Sequence, residues 1–480
     1  MSSLVFNDGT KFPYRLFYIF RYILTFLFII SAGIFEPEIT LIISLLFVIF
    51  VWLGGYNYIF VKIFGSKFVG EAGKDSISGN LKTFSLLLFT SLSVLYVIGK
   101  LHSGNLFFIV FQALAITVLN HESTYAAVYD KLLPIKTDEN GKYTTTNRFS
   151  LFFEMVLILL RFCAAFLISL WFLRETNFVS TAEGLSLLFF ISVIGTLAGS
   201  LFEIIRSDLS RDTSVYVGTF LTILAFFLFE YAAPFPHMLL VILFSLFLAI
   251  LAFWVGIADF SALLSAAILG IIIILFSELE WYILLLMFFI LGGIFTKYKF
   301  DYKRQRGISE GKSGIRNYVN VFANSLPALF LAVMYGVVQL YPDKSFLAIP
   351  ISFAYVGTIA NATGDTLASE IGTTTNKQTY MITTLKKVEP GQDGGVSLLG
   401  ELACLFGSLI IGIFTYYLGI IEPLWVSLTV SFVGGFVGTN IDSFLGATLQ
   451  NKKLVSNSDV NLISTTISAF LCSLLYFILF

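Results

Sequence analysis

The chain has 480 residues, of which 57% are hydrophobic, 17% aromatic and only 12% charged. A soluble domain carries about 25% charged residues, so water is not the solvent for most of this surface. The net charge of −1 says nothing about nucleic acid, and none is expected as a partner.

Apolar stretches long enough for a bilayer-crossing helix, about 20 residues, recur from end to end. In hydrocarbon every backbone polar group needs an internal partner, so such stretches fold as helices; the period-two alternation of a barrel is absent. About fifteen spans are expected, near 14–33, 38–60, 83–99, 105–120, 150–173, 185–205, 214–232, 237–254, 258–277, 281–297, 318–340, 346–363, 397–418, 421–440 and 458–479. The first is too long, and lacks the small-residue site, for a cleaved signal peptide. The expectation is an all-α, polytopic transmembrane bundle of 14–15 spans.

Lys and Arg gather at 62–82, 131–148, 206–211, 297–316, 377–387 and 452–453, after the even-numbered spans, whereas Glu36, Glu38, Glu175, Glu183, Glu278 and Glu280 occupy the odd loops. The positive-inside rule then puts the even loops and the N-terminus in the cytoplasm. Cys163, Cys404 and Cys472 lie far apart in apolar spans and read as packing residues.

The best boundary falls near Phe253–Asp259, giving domains 1–254 and 255–480, and the two halves echo each other. The second contains Gly364-Asp365-Thr366, a polar loop with Pro390, a long span, and Gly434-Gly435 through Asp442. The first contains His121-Glu122-Ser123, a polar loop with Pro134, a long span, and Gly195 through Glu203. Glu122 and Glu203 are 81 residues apart, Asp365 and Asp442 are 77 apart. Gly70–Lys74 corresponds to Ser309–Ser313. An offset of eight spans makes this a parallel repeat, an ancient duplication, with chance similarity of Gly-rich helices as its alternative.

Four segments of the second half carry the candidate chemistry. Arg316, Asn317, Asn320 and Asn324 run into a span, and the three Asn share a helix face. Amides entering hydrocarbon are costly unless they face a polar cavity. The lysines before them have a blander reading, as a topology signal or a contact with anionic lipid. In Asn361–Gly372, Asp365 and Glu370 stand at a span end among small residues that let a ligand approach the backbone; a turn-capping Asp is the alternative. In Thr383–Ser397, Lys386, Lys387, Gly394 and Gly395 form a basic Gly-rich loop, suited to phosphate or merely flexible. Gly438–Gln450 adds Asp442 and Ser443 on the same membrane face as Asp365. Two acids, several amides and such a loop suit Mg²⁺ with phosphates, since Mg²⁺ takes one or two carboxylates plus phosphate oxygens. Phosphoryl transfer needs positioning and charge neutralisation above all. Asp365 and Asp442 are the expected metal ligands, with Glu370 a further ligand or base. No Walker motif, zinc spacing, dinucleotide fingerprint or hydrolase triad occurs.

Gly364-Asp365-Thr366-x-Ala368-Ser369-Glu370, Lys387-Val388-x-Pro390-Gly391-x-Asp393-Gly394-Gly395-Val396-Ser397 and Asp442-Ser443-x-Leu445-Gly446-Ala447-Thr448-x-Gln450 resemble the phytyl-phosphate kinase family. Gly314-x-Arg316-Asn317-x-x-x-Val321-x-Ala323-Asn324 is similar to that family's preceding block, and the resemblance covers about 255–480. It implies kinship with CTP-dependent phytol and dolichol kinases. It also implies a phosphoryl group moved from CTP or another nucleoside triphosphate to an isoprenoid monophosphate. In this reading Arg316, Lys386 and Lys387 neutralise phosphates, the Asn residues orient donor or acceptor, Gly364, Thr366 and Ser443 complete the pocket, and membrane lipid surrounds the prenyl tail. The first half resembles a degenerate copy of the superfamily: Gly199–Glu203 is similar to the late acidic motif of dolichol kinases, but His121-Glu122 replaces Gly-Asp and Asn140-Gly141-Lys142-Tyr143 replaces the Gly-rich loop. The rival readings are a cytidylyltransferase acting on a lipid phosphate and a transporter, the latter disfavoured because the polar residues gather at one face.

Overall fold

A chain this apolar hides its backbone in helices, and the computed structural model is built of them. It describes residues 30, 34–53, 71–102, 106–119, 148–174, 181–204, 211–228, 233–307, 315–375 and 378–480. Among these, ten helices are long and apolar enough to cross a membrane and four more are apolar but shorter. The first expected span lies almost wholly outside the described residues, as do His121–Ala127, Pro134, Asn140–Tyr143 and Ser309–Ser313.

The chain packs as two compact units, 1–236 and 237–480. The first contains α1 (Pro37–Trp52), α2 (Glu71–His102), α3 (Phe108–Val118), α4 (Arg148–Leu173), α5 (Ala182–Ile204) and α6 (Arg211–Leu228). Every residue of α3 is buried, because α4, α5 and α6 all pack against it.

The second unit begins with α7 (Phe235–Trp254), which starts at the division between the units, and continues with α8 (Phe260–Phe276), α9 (Leu279–Lys297), the short α10 (Phe300–Gln305) and α11 (Tyr318–Gln339). After a 3₁₀ turn at Pro342–Leu347 come α12 (Ala348–Gly372), β1 (Thr379–Met381), β2 (Lys387–Val388), β3 (Gly395–Val396) and α13 (Leu398–Tyr417). The last elements are α14 (Leu424–Phe432), a π turn at Val433–Val437, α15 (Gly438–Leu445), a second π turn at Gly446–Gln450, and α16 (Asn457–Leu479). The α12 helix is the axis, packed by α11, α13, α14 with its π turn, and α16. Without a hydrophobic force between helices in lipid, small residues that permit close approach hold such a bundle. A Cβ on Gly434 would lie 2.5 Å from Gly357 Cα, and one on Gly364 would lie 2.9 Å from Cys404 Sγ.

Two expected boundaries move. The span expected to end at 363 continues as helix to Gly372, because Asn361–Gly372 is mostly buried in the bundle and its small residues pack there. The last-but-one span runs through to Gln450, bent by its two π turns. The Gly-rich loop is partly ordered as a three-stranded antiparallel sheet, β2-β1-β3, with Tyr380 opposite both Lys387 and Val396.

Candidate functional site

The ends of these helices in the second unit enclose a polar cavity of about 170 Å³. Four segments distant in sequence supply its walls: the start of α11, the end of α12, the Gly-rich loop with the start of α13, and the α15–α16 region.

Arg316 enters from just before α11. Its backbone is pinned by Arg316 N–H donating to Ile257 O (3.0 Å) and by Asp259 N–H donating to Arg316 O (2.9 Å). The residue is 6% exposed, and its guanidinium lies 5.4 Å from the Phe288 ring centroid. Gly292 of α9 makes the space, since a Cβ there would collide with the guanidinium. Asn320 and Asn324 follow on the cavity side. Asn317 does something else: it caps α11, its Oδ1 accepting from Val319 N–H (2.9 Å) and Asn320 N–H (3.2 Å). A side chain so engaged belongs to helix initiation, and it does not line the cavity.

From α12 come Asp365 and Thr366, followed by Ser369, Gly372 and Thr373. Gly364 is a packing residue, wedged against Cys404, Thr439 and Ser408. Glu370, expected as a further ligand or base, is placed apart from the cavity lining: it is 3% exposed and ion-paired with Lys303 of α10. Lys303 Nζ also donates to Phe295 O (3.1 Å) and Thr296 O (3.0 Å) at the end of α9. That pair is an internal tie between α9, α10 and α12, and neither residue lines the cavity.

Residues 390–397 form the next wall, Gly394 and Gly395 included. Gly394 holds φ at +77°, and a Cβ on it would lie 2.6 Å from Ala447 N. Only glycine suits both the dihedral and the contact, and the loop is thereby seated on the second π turn. Asn451 Nδ2 donating to Asp393 O (3.0 Å) adds a tether. Asp393 is exposed at the cavity wall, and partial desolvation raises its carboxyl above its ordinary value, partly offset by a hydrogen bond from Gln450. Lys386 and Lys387 do not reach the cavity; they sit exposed on the β1–β2 turn and β2.

Asp442 and Ser443 of α15 complete the site. Ser464 Oγ donates to Asp442 Oδ2 (2.8 Å), and Asn461, with its amide nitrogen turned towards the acid, lies 3.3 Å from the same oxygen. Both of these partners are neutral donors. Asp365 and Asp442 therefore share one cavity with Arg316. Among the described residues no group of three or more His, Cys, Asp or Glu that could hold a metal ion gathers; the carboxylates of Asp365 and Asp442 are hard oxygen donors of the kind Mg²⁺ takes one or two of beside phosphate and water. The residues present fit Mg²⁺ on that donor chemistry.

Sequence reasoning missed Glu401, Asn457 and Asn461, all cavity residues. Glu401 receives Asn440 Nδ2 at 3.2 Å. As a lone acid inside an apolar run it carried a usable signal.

Residues 243–469, which contain this whole cavity, match the family described as integral membrane protein DUF92. An uncharacterized membrane protein of Methanocaldococcus jannaschii is 32% identical over 219 residues, covering 45% of this chain and 85% of that protein. The chain belongs to this family. It is also similar to Protein PGR of Arabidopsis thaliana, at 30% identity over 229 residues (40% of this chain, 80% of PGR). Protein VTE6, chloroplastic, of the same plant is 28% identical over 200 residues, 40% of this chain and 58% of VTE6. No solved structure matches. Like its family, the chain is an integral, multi-pass membrane protein.

Proposed function

We propose that this DUF92 member is a membrane isoprenoid-lipid kinase, transferring a phosphoryl group from a nucleoside triphosphate, CTP by preference, to a prenyl phosphate such as phytyl phosphate. The observation that carries the reading is one cavity lined by Arg316, Asn320, Asn324, Asp365, residues 390–397 and Asp442. These come from the four sequence blocks that resemble phytyl-phosphate kinases.

In this mechanism an oxygen of the lipid monophosphate attacks the γ-phosphorus of the donor. The bond from that phosphorus to the β–γ bridging oxygen breaks, and the nucleoside diphosphate leaves with the electron pair. Arg316 offsets the growing charge on the phosphoryl oxygens from within a buried site, where such an interaction is strong. The Gly394–Gly395 backbone permits close approach of phosphate. Asn320 and Asn324 orient donor or acceptor. Mg²⁺, when bound by Asp365 and Asp442, supplies charge neutralisation and alignment of the phosphates. By the positive-inside rule the cavity opens to the cytoplasm, with the prenyl tail in the bilayer.

The test incubates purified protein with labelled CTP, ATP and a panel of prenyl phosphates, and follows lipid products by mass. A prenyl diphosphate is expected. A product carrying CMP makes the protein a cytidylyltransferase, and unchanged lipids across the panel overturn the enzyme reading.

A further inference from the structure

The first unit holds a buried ion pair whose place in the fold repeats that of Asp442. Arg161 of α4 is 1% exposed. Its Nε donates to Leu119 O (2.7 Å), just past α3, its Nη1 to Ser200 Oγ (2.7 Å), and its Nη2 to Glu203, both on α5. Glu203 is preceded by glycines four and eight residues back, Gly199 and Gly195; Asp442 is preceded at the same intervals by Gly438 and Gly434.

Those glycines are crossing points of the same kind. A Cβ on Gly195 would lie 2.6 Å from Ile223 of α6 and 3.6 Å from Ile116 of α3, and one on Gly199 would lie 2.5 Å from Ile116 and 2.7 Å from Thr219 of α6. In the second unit, a Cβ on Gly434 would meet α12 at Gly357, and one on Gly438 would meet Asn361 of α12 (2.7 Å) and Ser468 of α16. In each unit, then, the acid-bearing helix crosses a buried axial helix and the unit's final helix just before its acid. The axes also gather their neighbours in the same chain order: α3 packs with α4, α5 and α6, and α12 with α13, the α14–α15 helix and α16.

The environments of the two acids differ. Ser464, four residues before Ser468, donates to Asp442; the residue four before Thr219 is Val215, which has nothing to donate. Glu203 is met by a guanidinium instead. We infer that the first unit is a second copy of the second unit's fold in which Arg161 supplies, from the chain itself, the positive charge that Asp442 takes from its ligand. In this reading Glu203 is a structural group held by Arg161, not a cation ligand. For Asp442 this rests on the proposed function; for Glu203 it rests on the ion pair alone.

Mn²⁺ binding to the full-length protein in detergent, counted by electron paramagnetic resonance, tests it. Glu203→Gln is expected to leave the bound Mn²⁺ unchanged, and Arg161→Ala to add one Mn²⁺ that Arg161→Ala with Glu203→Gln loses again. Arg161→Met combined with Glu203→Gln removes both charges and keeps the fold testable if Arg161→Ala does not fold; it is expected to bind as the wild type does. Loss of a wild-type Mn²⁺ in any of the three variants carrying Glu203→Gln, or a folded Arg161→Ala that gains none, overturns the inference. If the kinase reading fails instead, Asp442→Asn leaves wild-type binding intact while the Arg161 comparison still reads out.

Discussion

Asp365 and Glu370 stand five residues apart on α12 and are used in opposite ways. Glu370 is buried and ion-paired with Lys303; Asp365 lines the cavity that Asp442 and Arg316 also line. An acid near a span end is therefore not in itself a site. What separates the two is place: Glu370 is answered by Lys303 inside the bundle, whereas Asp365 borders the polar cavity. A buried ion pair with a protein partner adds little net stability but is costly to break, because the survivor is left charged in a poor solvent.

That contrast can be broken from either side. The largest effect is expected from Lys303→Ala, which strands Glu370 and should cost about 3–5 kcal/mol, read as a lowered thermal midpoint in detergent. Lys303→Met with Glu370→Gln should recover most of it. A midpoint unchanged in Lys303→Ala would mean the pair holds nothing together. On the cavity side, Asp365→Asn and Asp442→Asn should each reduce phosphoryl transfer by about 10²-fold or more while leaving the midpoint near that of the wild type. A smaller effect is expected from Gly394→Ala, which forces a side chain into a left-handed backbone against Ala447, at about 1–2 kcal/mol. Initial rates should fall by roughly tenfold as the loop lifts from its seat; a rate equal to wild type would show that the seat is dispensable.

The smallest effect concerns pH. The Asp393 carboxyl is raised above its ordinary value of 3.8 by partial desolvation, so the folded state holds this proton more tightly than the unfolded one. Its contribution is fully present below 3.8 and is lost as pH rises towards the folded value. Thermal midpoints of Asp393→Asn against wild type across acidic pH should show that slope flattened, and parallel curves would remove Asp393 as its source.

Much of this was legible in the sequence because hydropathy and span length dominate in a membrane. The blocks around Asp365, Gly394 and Asp442 were legible because small and acidic residues are conspicuous against an apolar background. The sheet was not, since strands of two or three residues leave no period to detect. Lys303 read as one more loop cation, and only the packing of α10 on α9 and α12 buries it. Asn317 fell on the face of Asn320 and Asn324, yet its position one residue before α11 commits its side chain to capping. Asn457 and Asn461 were hidden by the Ser456–Asp459 capping box, which makes the start of α16 look like an ordinary helix end.

The central claim is that Asp365 and Asp442 serve one site, and a double-mutant cycle on ligand binding tests it most directly. Calorimetric titration of Mg²⁺ with CTP into wild type, Asp365→Asn, Asp442→Asn and the double variant should show strong coupling, each single change removing most of the binding and the second adding little. Independent, additive losses, or binding that survives in the double variant, would contradict it.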